Sequence, residues 1–182
     1  MSNHMSSPPN STDVTQNSLD GIDNHEVGFV DYNDLATATT PIIIPNTSTY
    51  IPLTNDGLGD FTNKAYVPSG ITDIWDASLN TFDWSELALG DMVDIRLDIV
   101  VETANNNQEV LVALELGSGG FAYDIPYAHL VFKTAGTYQV NRFNGIYIGD
   151  TNTLDNGGRF KVSSDGNATV VVNGWYCRII KK

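Results

Sequence analysis

The feature that most constrains this chain is a period-two alternation of apolar and polar residues, broken at intervals by Gly-containing turn signals. Met92–Glu102 places Val93, Ile95, Leu97 and Ile99 on one face and Asp94, Arg96 and Asp98 on the other, the pattern of a strand with one buried side. Glu109–Leu116 follows a polar loop, Thr103–Gln108, and the two read as a hairpin. Tyr138–Ile148, Arg159–Val162, Ala168–Val172 and Trp175–Ile180 read as further strands. Asn55-Asp-Gly57, Asn144-Gly145, Asn156-Gly-Gly158, Asp165-Gly166 and Asn173-Gly174 supply turn chemistry between runs. That cadence predicts an all-β sandwich or barrel over residues 47–182. One helical turn is expected near Asp83–Leu89, stopped by Gly90.

The first 46 residues are written differently. They hold no Lys or Arg and are rich in Ser, Thr, Asn, Asp and Pro. Low hydrophobicity with charge of one sign does not offset chain entropy, so residues 1–46 are expected to be an extended, largely irregular arm. It reads either as a linker or as a peptide that orders on a partner. Its candidate docking anchors are Phe29, Val30, Tyr32, Ile42, Ile43 and Ile44, the last three bracketed by Pro41 and Pro45, which favour extended backbone.

The balance of 22 acids against 9 bases gives a formal net charge of −13. Such a surface repels nucleic acid and anionic membrane, so neither is an expected partner. There is no long apolar run and no basic, apolar leader, so neither a membrane span nor a signal peptide is expected. The single cysteine, Cys177, lies in an apolar strand and is expected to pack as a small hydrophobe.

Candidate chemistry is sparse. His129 is alone in the β region, and His4 and His25 have no ligands spaced around them for a metal. Gly117-Ser118-Gly-Gly lacks the context of a nucleophile elbow or a phosphate loop. Asp150, Asn152 and Asp155 crowd oxygen atoms as calcium prefers, but their spacing is not that of a calcium loop. Asp73, Asp76 and Asp83 stand near Trp75 and Trp84, a composition that could form a sugar-stacking cleft with paired carboxylates, or turns beside buried rings. The expectation is no catalytic residue, no metal and no cofactor.

Ile51-Pro-Leu-Thr-Asn-Asp-Gly-Leu-Gly59, Gly70-Ile-Thr-Asp-Ile-Trp-Asp76, Phe82-Asp-Trp-Ser-Glu-Leu87, Lys133-Thr-Ala-Gly-Thr-Tyr138, Gly145-Ile-Tyr-Ile-Gly-Asp-Thr-Asn-Thr153 and Val172-Asn-Gly-Trp-Tyr176 carry a resemblance. They resemble small virion structural proteins of tailed bacteriophages and prophages, of the capsid decoration (cement) or fibre type. The resemblance implies a jelly roll like tumour-necrosis-factor and complement heads, forming a homotrimer. Its interface candidates are Tyr138, Phe143, Tyr147, Trp175 and Tyr176. It also implies a decoration protein bound to the major capsid protein or another virion protein, made in the bacterial host cytoplasm and located in the virion. A fibre knob recognising a host glycan is the alternative; a polysaccharide-acting enzyme is the third.

Overall fold

The computed structural model describes residues 25–182. The arm residues before them, with His4 and the Pro8-Pro9 pair, lie outside the described residues. The described chain is a two-sheet antiparallel sandwich of jelly-roll type. Its strands are β1 (Glu26–Asn33), β2 (Ile42–Ile44), β3 (Ile51–Pro52), β4 (Asn63–Tyr66), β5 (Trp75–Asp76), β6 (Thr81–Phe82), β7 (Met92–Thr103), β8 (Gln108–Leu116), β9 (Tyr123–Phe132), β10 (Gly136–Tyr147), β11 (Gly158–Ser164) and β12 (Ala168–Lys181). Two short helices, α1 (Ala36–Thr39) and α2 (Thr151–Asn156), join them.

The first sheet runs β10-β7-β12-β1-β4, with β2 also pairing β12. The second runs β5-β6-β11-β8-β9, with β3 pairing β11. After the β8–β9 hairpin the chain crosses between sheets at each connection, β9 to β10, β10 to β11 and β11 to β12. That wrapping is what makes the sandwich a jelly roll. The alternation of β7 is realised as expected, with Val93, Ile95, Leu97, Ile99 and Val101 buried between the sheets.

The aromatic centre of the core is Trp75, Phe82, Trp84, Phe160 and Trp175. Phe82 stacks on Trp84 at 4.8 Å, and Trp75 meets Trp175 edge-on at 4.7 Å. Cys177 is buried in the same core, and burial raises its thiol pKa.

Three expectations are corrected. First, residues 26–44 are not an irregular arm. β1 pairs with β12 from Glu26↔Lys181 to Asn33↔Gly174, and β2 pairs with Ala168–Val170. Val30, Tyr32 and Ile44 are core residues. A short strand of modest hydrophobicity holds because a long strand is already present to receive it.

Second, Asn173-Gly174 and Asn144-Gly145 are not turns. The former is an irregularity inside β12, where the register shifts between Val172 and Gly174. A side chain at Gly174 would sit 2.4 Å from Tyr32 O, so the glycine permits β1 to approach. The latter lies within β10.

Third, Asp83–Leu89 forms turns, while the helical turns lie at α1 and α2. Asp150 caps α2, accepting from Thr153 N at 2.7 Å. Gly157 ends it at φ +61, where a side chain would strike Phe82 O.

Candidate interaction face

The outer face of the first sheet is built by residues two apart on adjacent strands, β10, β7, β12 and β1, with β4 beyond them. Register places Tyr147, Met92, Ile180 and Val27 in one cross-strand row. Gly145, Asp94, Arg178, Phe29 and Tyr66 form the next, and Phe143, Arg96, Tyr176 and Asp31 the third. Tyr147 is 66% exposed, Phe143 57% and Tyr66 67%, and Met92, Val27 and Phe29 also reach solvent. Beside Tyr66, the loop residue Phe61 is 81% exposed. Apolar exposure this contiguous on one sheet face makes it the candidate interaction surface of the described residues.

The charges on this face are mostly paired. Arg178 Nε donates to Asp94 Oδ2 at 2.8 Å, and Arg96 Nε donates to Asp98 Oδ2 at 2.9 Å. Asn141 also donates to Asp98. The Arg96 guanidinium lies 5.2 Å from the Tyr176 ring centroid, and Phe29 stacks on Tyr176 at 5.8 Å and 22°. Phe29, Asp31, Phe61, Asn63, Tyr66 and Tyr176 line a shallow hollow of about 280 Å³ on the β1–β4 side.

The predicted interaction residues divide by position. Phe29, Phe143, Tyr147 and Tyr176 come together on this face, joining one arm anchor to three trimer candidates. Ile43 is 75% exposed at the β2 edge, away from them. Val30, Tyr32, Ile44 and Trp175 are buried in the monomer core, and Ile42 is half-buried against it, so none is free to dock in this fold. Tyr138 packs inward on Phe132 at 4.5 Å, its hydroxyl donating to Thr134 O at 2.6 Å. Sequence reasoning missed Phe61, Tyr66, Met92, Val27 and Arg96, although the alternation of β7 does assign Met92 and Arg96 to the outer face.

Outside this face the second sheet carries a charged cluster. Lys161 Nζ lies 2.8 Å from Glu115 Oε2 and 2.7 Å from Asp124 Oδ1, and Arg159 Nε lies 2.8 Å from Glu115 Oε1. Burial, the largest influence on Glu115, pushes its carboxyl up; the bond from Lys161 and the Arg159 and Lys161 charges outweigh it, and the pKa is lowered. His129 Nε2 lies 3.3 Å from Glu109 Oε2, and His25 Nδ1 lies 3.1 Å from Lys181 O.

The carboxylates of the possible sugar cleft are engaged in bonds to nearby backbone and side chains. Asp73 Oδ1 accepts from Tyr32 and from Trp75 N, Asp76 Oδ1 from Ser78 N and Leu79 N, and Asp83 Oδ1 from Ser85 N. Trp75 and Trp84 are buried and offer no stacking platform. In the suspected calcium loop, Asp150 caps α2, and the Asn152 amide exchanges hydrogen bonds with Phe121 N and O at 3.0 and 2.9 Å. Among the described residues no group of three or more His, Cys, Asp or Glu side chains could hold a metal, and no helix is long and apolar enough to cross a membrane.

No family model and no curated protein sequence matches the chain. Solved structures of virus particles do match. A chain of infectious bursal disease virus, Gx strain, matches with a TM-score of 0.42 and 9% identity, over 87% of this chain and 32% of that one. A chain of the T13 particle of that virus gives 0.37 and 10%, over 97% and 52%. A chain of cowpea mosaic virus top component, a naturally occurring empty particle, gives 0.28 and 12%, over 88% and 84%. The chain spans about a third of the length of the first infectious bursal disease virus chains it matches. At scores and identities this low the likeness carries no inference about function.

Proposed function

We propose that this chain is a non-enzymatic structural protein of a virus particle: a decoration protein of a tailed-phage capsid, made in the host cytoplasm. In this reading it attaches as a homotrimer to the major capsid protein. The observation that carries the reading is the outer face of the first sheet. It leaves Phe29, Phe61, Tyr66, Met92, Phe143 and Tyr147 exposed together on a jelly roll whose core is complete without them. Exposed aromatic area of this kind supplies the anchors of a protein interface. The sequence resemblance to virion proteins names the kind of interface.

The face divides in two. Phe143 and Tyr147 lie on β10, a twelve-residue edge strand with one charged residue, Arg142, and no proline. Such an edge favours a neighbouring copy, and this side is assigned to the trimer. Phe29, Tyr176, Phe61 and Tyr66 lie on the β1–β4 side, which is assigned to the capsid partner. The fibre-knob alternative draws on Phe121, 88% exposed in the loop before β9.

The test is co-sedimentation of the full chain with capsids assembled from the major capsid protein of the same genome, followed by cryo-electron microscopy of the pellet. Density for the jelly roll at fixed capsid positions is expected. Absence of the chain from both pellet and particles overturns the reading.

A further inference from the structure

The hollow between β1 and β4 combines two chemistries that suit one kind of side chain. Phe29, Tyr176, Phe61 and Tyr66 supply aromatic surface, and Asp31 supplies a carboxylate within the same lining. We propose that this hollow receives an arginine side chain of the partner protein, its guanidinium lying against the rings and pairing with Asp31. The proposal rests on the reading of this face as the docking side, and it names the chemistry of the partner.

The charge count at the hollow supports it. Arg96 is paired with Asp98, Arg178 with Asp94 and Lys64 with Asp73. Asp31 makes no ion pair among the described residues. Its hydrogen bond is a long one, 3.4 Å from Asn33 Nδ2. Its carboxyl is shifted upward, chiefly by burial, with Arg96 pulling the other way and Asp98 adding to the rise. An unpaired, partly desolvated carboxylate is the group that gains most from an incoming cation.

The aromatic lining favours guanidinium over ammonium, because guanidinium is flat, weakly hydrated and stacks on rings while its N–H groups pair with a carboxylate. The chain already uses this contact internally, with Arg96 over Tyr176. A net charge of −13 steers a basic segment toward the surface before the pocket engages it.

The probe is Nα-acetyl-arginine amide, titrated into the full chain and followed by amide and aromatic NMR shifts. Saturable shifts at Phe29, Asp31, Tyr66 and Tyr176 are expected, with a dissociation constant on the order of 1 mM. Nα-acetyl-citrulline amide, which has the same shape without the charge, is expected not to produce them. Asp31→Asn is expected to fold with an unchanged melting temperature, to weaken arginine at least about tenfold and to reduce capsid attachment similarly.

If arginine gives no saturable shift at these residues, the proposal is overturned; wild-type attachment to capsids would then leave the decoration reading standing. If arginine binds but Asp31→Asn attaches to capsids like the wild type, the hollow is overturned as the partner's receptor. If the wild type attaches to no capsid, the decoration reading fails, whatever arginine does.

Discussion

The hydroxyl of Tyr32 donates to Asp73 Oδ1 at 2.5 Å and accepts from Ile74 N at 3.1 Å, tying β1 to the loop before β5 across about forty residues of sequence. Asn55 Nδ2 donates to Tyr32 O at 2.8 Å, and Trp75 Nε1 donates to Asn55 O at 3.0 Å. Tyr32 is therefore a polar junction inside the core. Burial raises its phenol pKa far above the ordinary value, and the bond to Asp73 adds to the rise, so it stays a donor. Tyr32→Phe leaves Asp73 and Ile74 N short of a partner. The expected cost is about 1–3 kcal/mol, seen as a lower urea midpoint at unchanged slope.

A chain begun at Thr47 is expected not to fold cooperatively. It loses β1 and β2, and with them Val30, Tyr32 and Ile44 from the core and the partner of β12 from Gly174 to Lys181. Burying each such large side chain contributes about 1.5–3 kcal/mol, so their loss alone is comparable to a usual reserve of about 5–15 kcal/mol, and the lost strand pairing adds to it. Sharp near-ultraviolet dichroism and a single cooperative melt for the truncated chain would overturn this.

The long strands are legible because their alternation is dense and local. β7 and β8 can be read without knowledge of their partners. β1 cannot. Val30 and Tyr32 do alternate with Phe29 and Asp31, but the segment lies in polar, acidic sequence. Its stability comes from β12, which is far away in the chain. Composition averaged over 46 residues hides an eight-residue strand. Asn-Gly pairs mislead for a related reason. At Gly174 the missing side chain serves the approach of another strand, a requirement that local turn chemistry does not contain. The candidate face is legible in part. The sequence marks Phe143, Tyr147 and Tyr176, but the cross-strand register that joins them to Phe29 and Tyr66 exists only in the folded sheet.

Acid is expected to destabilise the fold through Glu115. Its carboxyl is held below the usual carboxylate value in the folded state despite burial, so it contributes stability above that value. The contribution is lost as pH falls through the folded pKa. Glu115→Gln keeps the shape but releases the attraction of Lys161 and Arg159. The expected loss at neutral pH is about 1.5–3 kcal/mol, nearer the lower end because Arg159 is partly exposed. The melting temperature of the variant should also fall less steeply than that of the wild type between pH 6 and 3, values that bracket the ordinary carboxylate range of about 4. Parallel curves would reject this assignment.

Chelation with EDTA is expected to leave the melting temperature unchanged. The Asp150 carboxylate caps α2, and the Asn152 side chain is bonded to the Phe121 backbone. A calcium ion would have to displace those bonds. An occupied site at a hundredfold excess over Kd would contribute about 2.7 kcal/mol, a loss of several degrees on chelation that calorimetry resolves readily.

The trimer assignment makes the edge strand β10 the decisive place to substitute. Phe143 and Tyr147 are exposed on it and lie outside the buried core cluster, so Phe143→Glu and Tyr147→Glu should leave the monomer folded. At an interface the same changes bury a carboxylate against apolar surface and place like charges together around the symmetry axis. The wild-type chain is expected to scatter light at about three times the protomer mass of 19.8 kDa, and the double variant at the protomer mass. Phe29→Ala, on the opposite side of the face, should leave the trimer intact while weakening capsid attachment. A wild-type chain that stays monomeric at micromolar concentration removes the trimer, and a Phe29→Ala chain that dissociates would merge the two halves of the face into one interface.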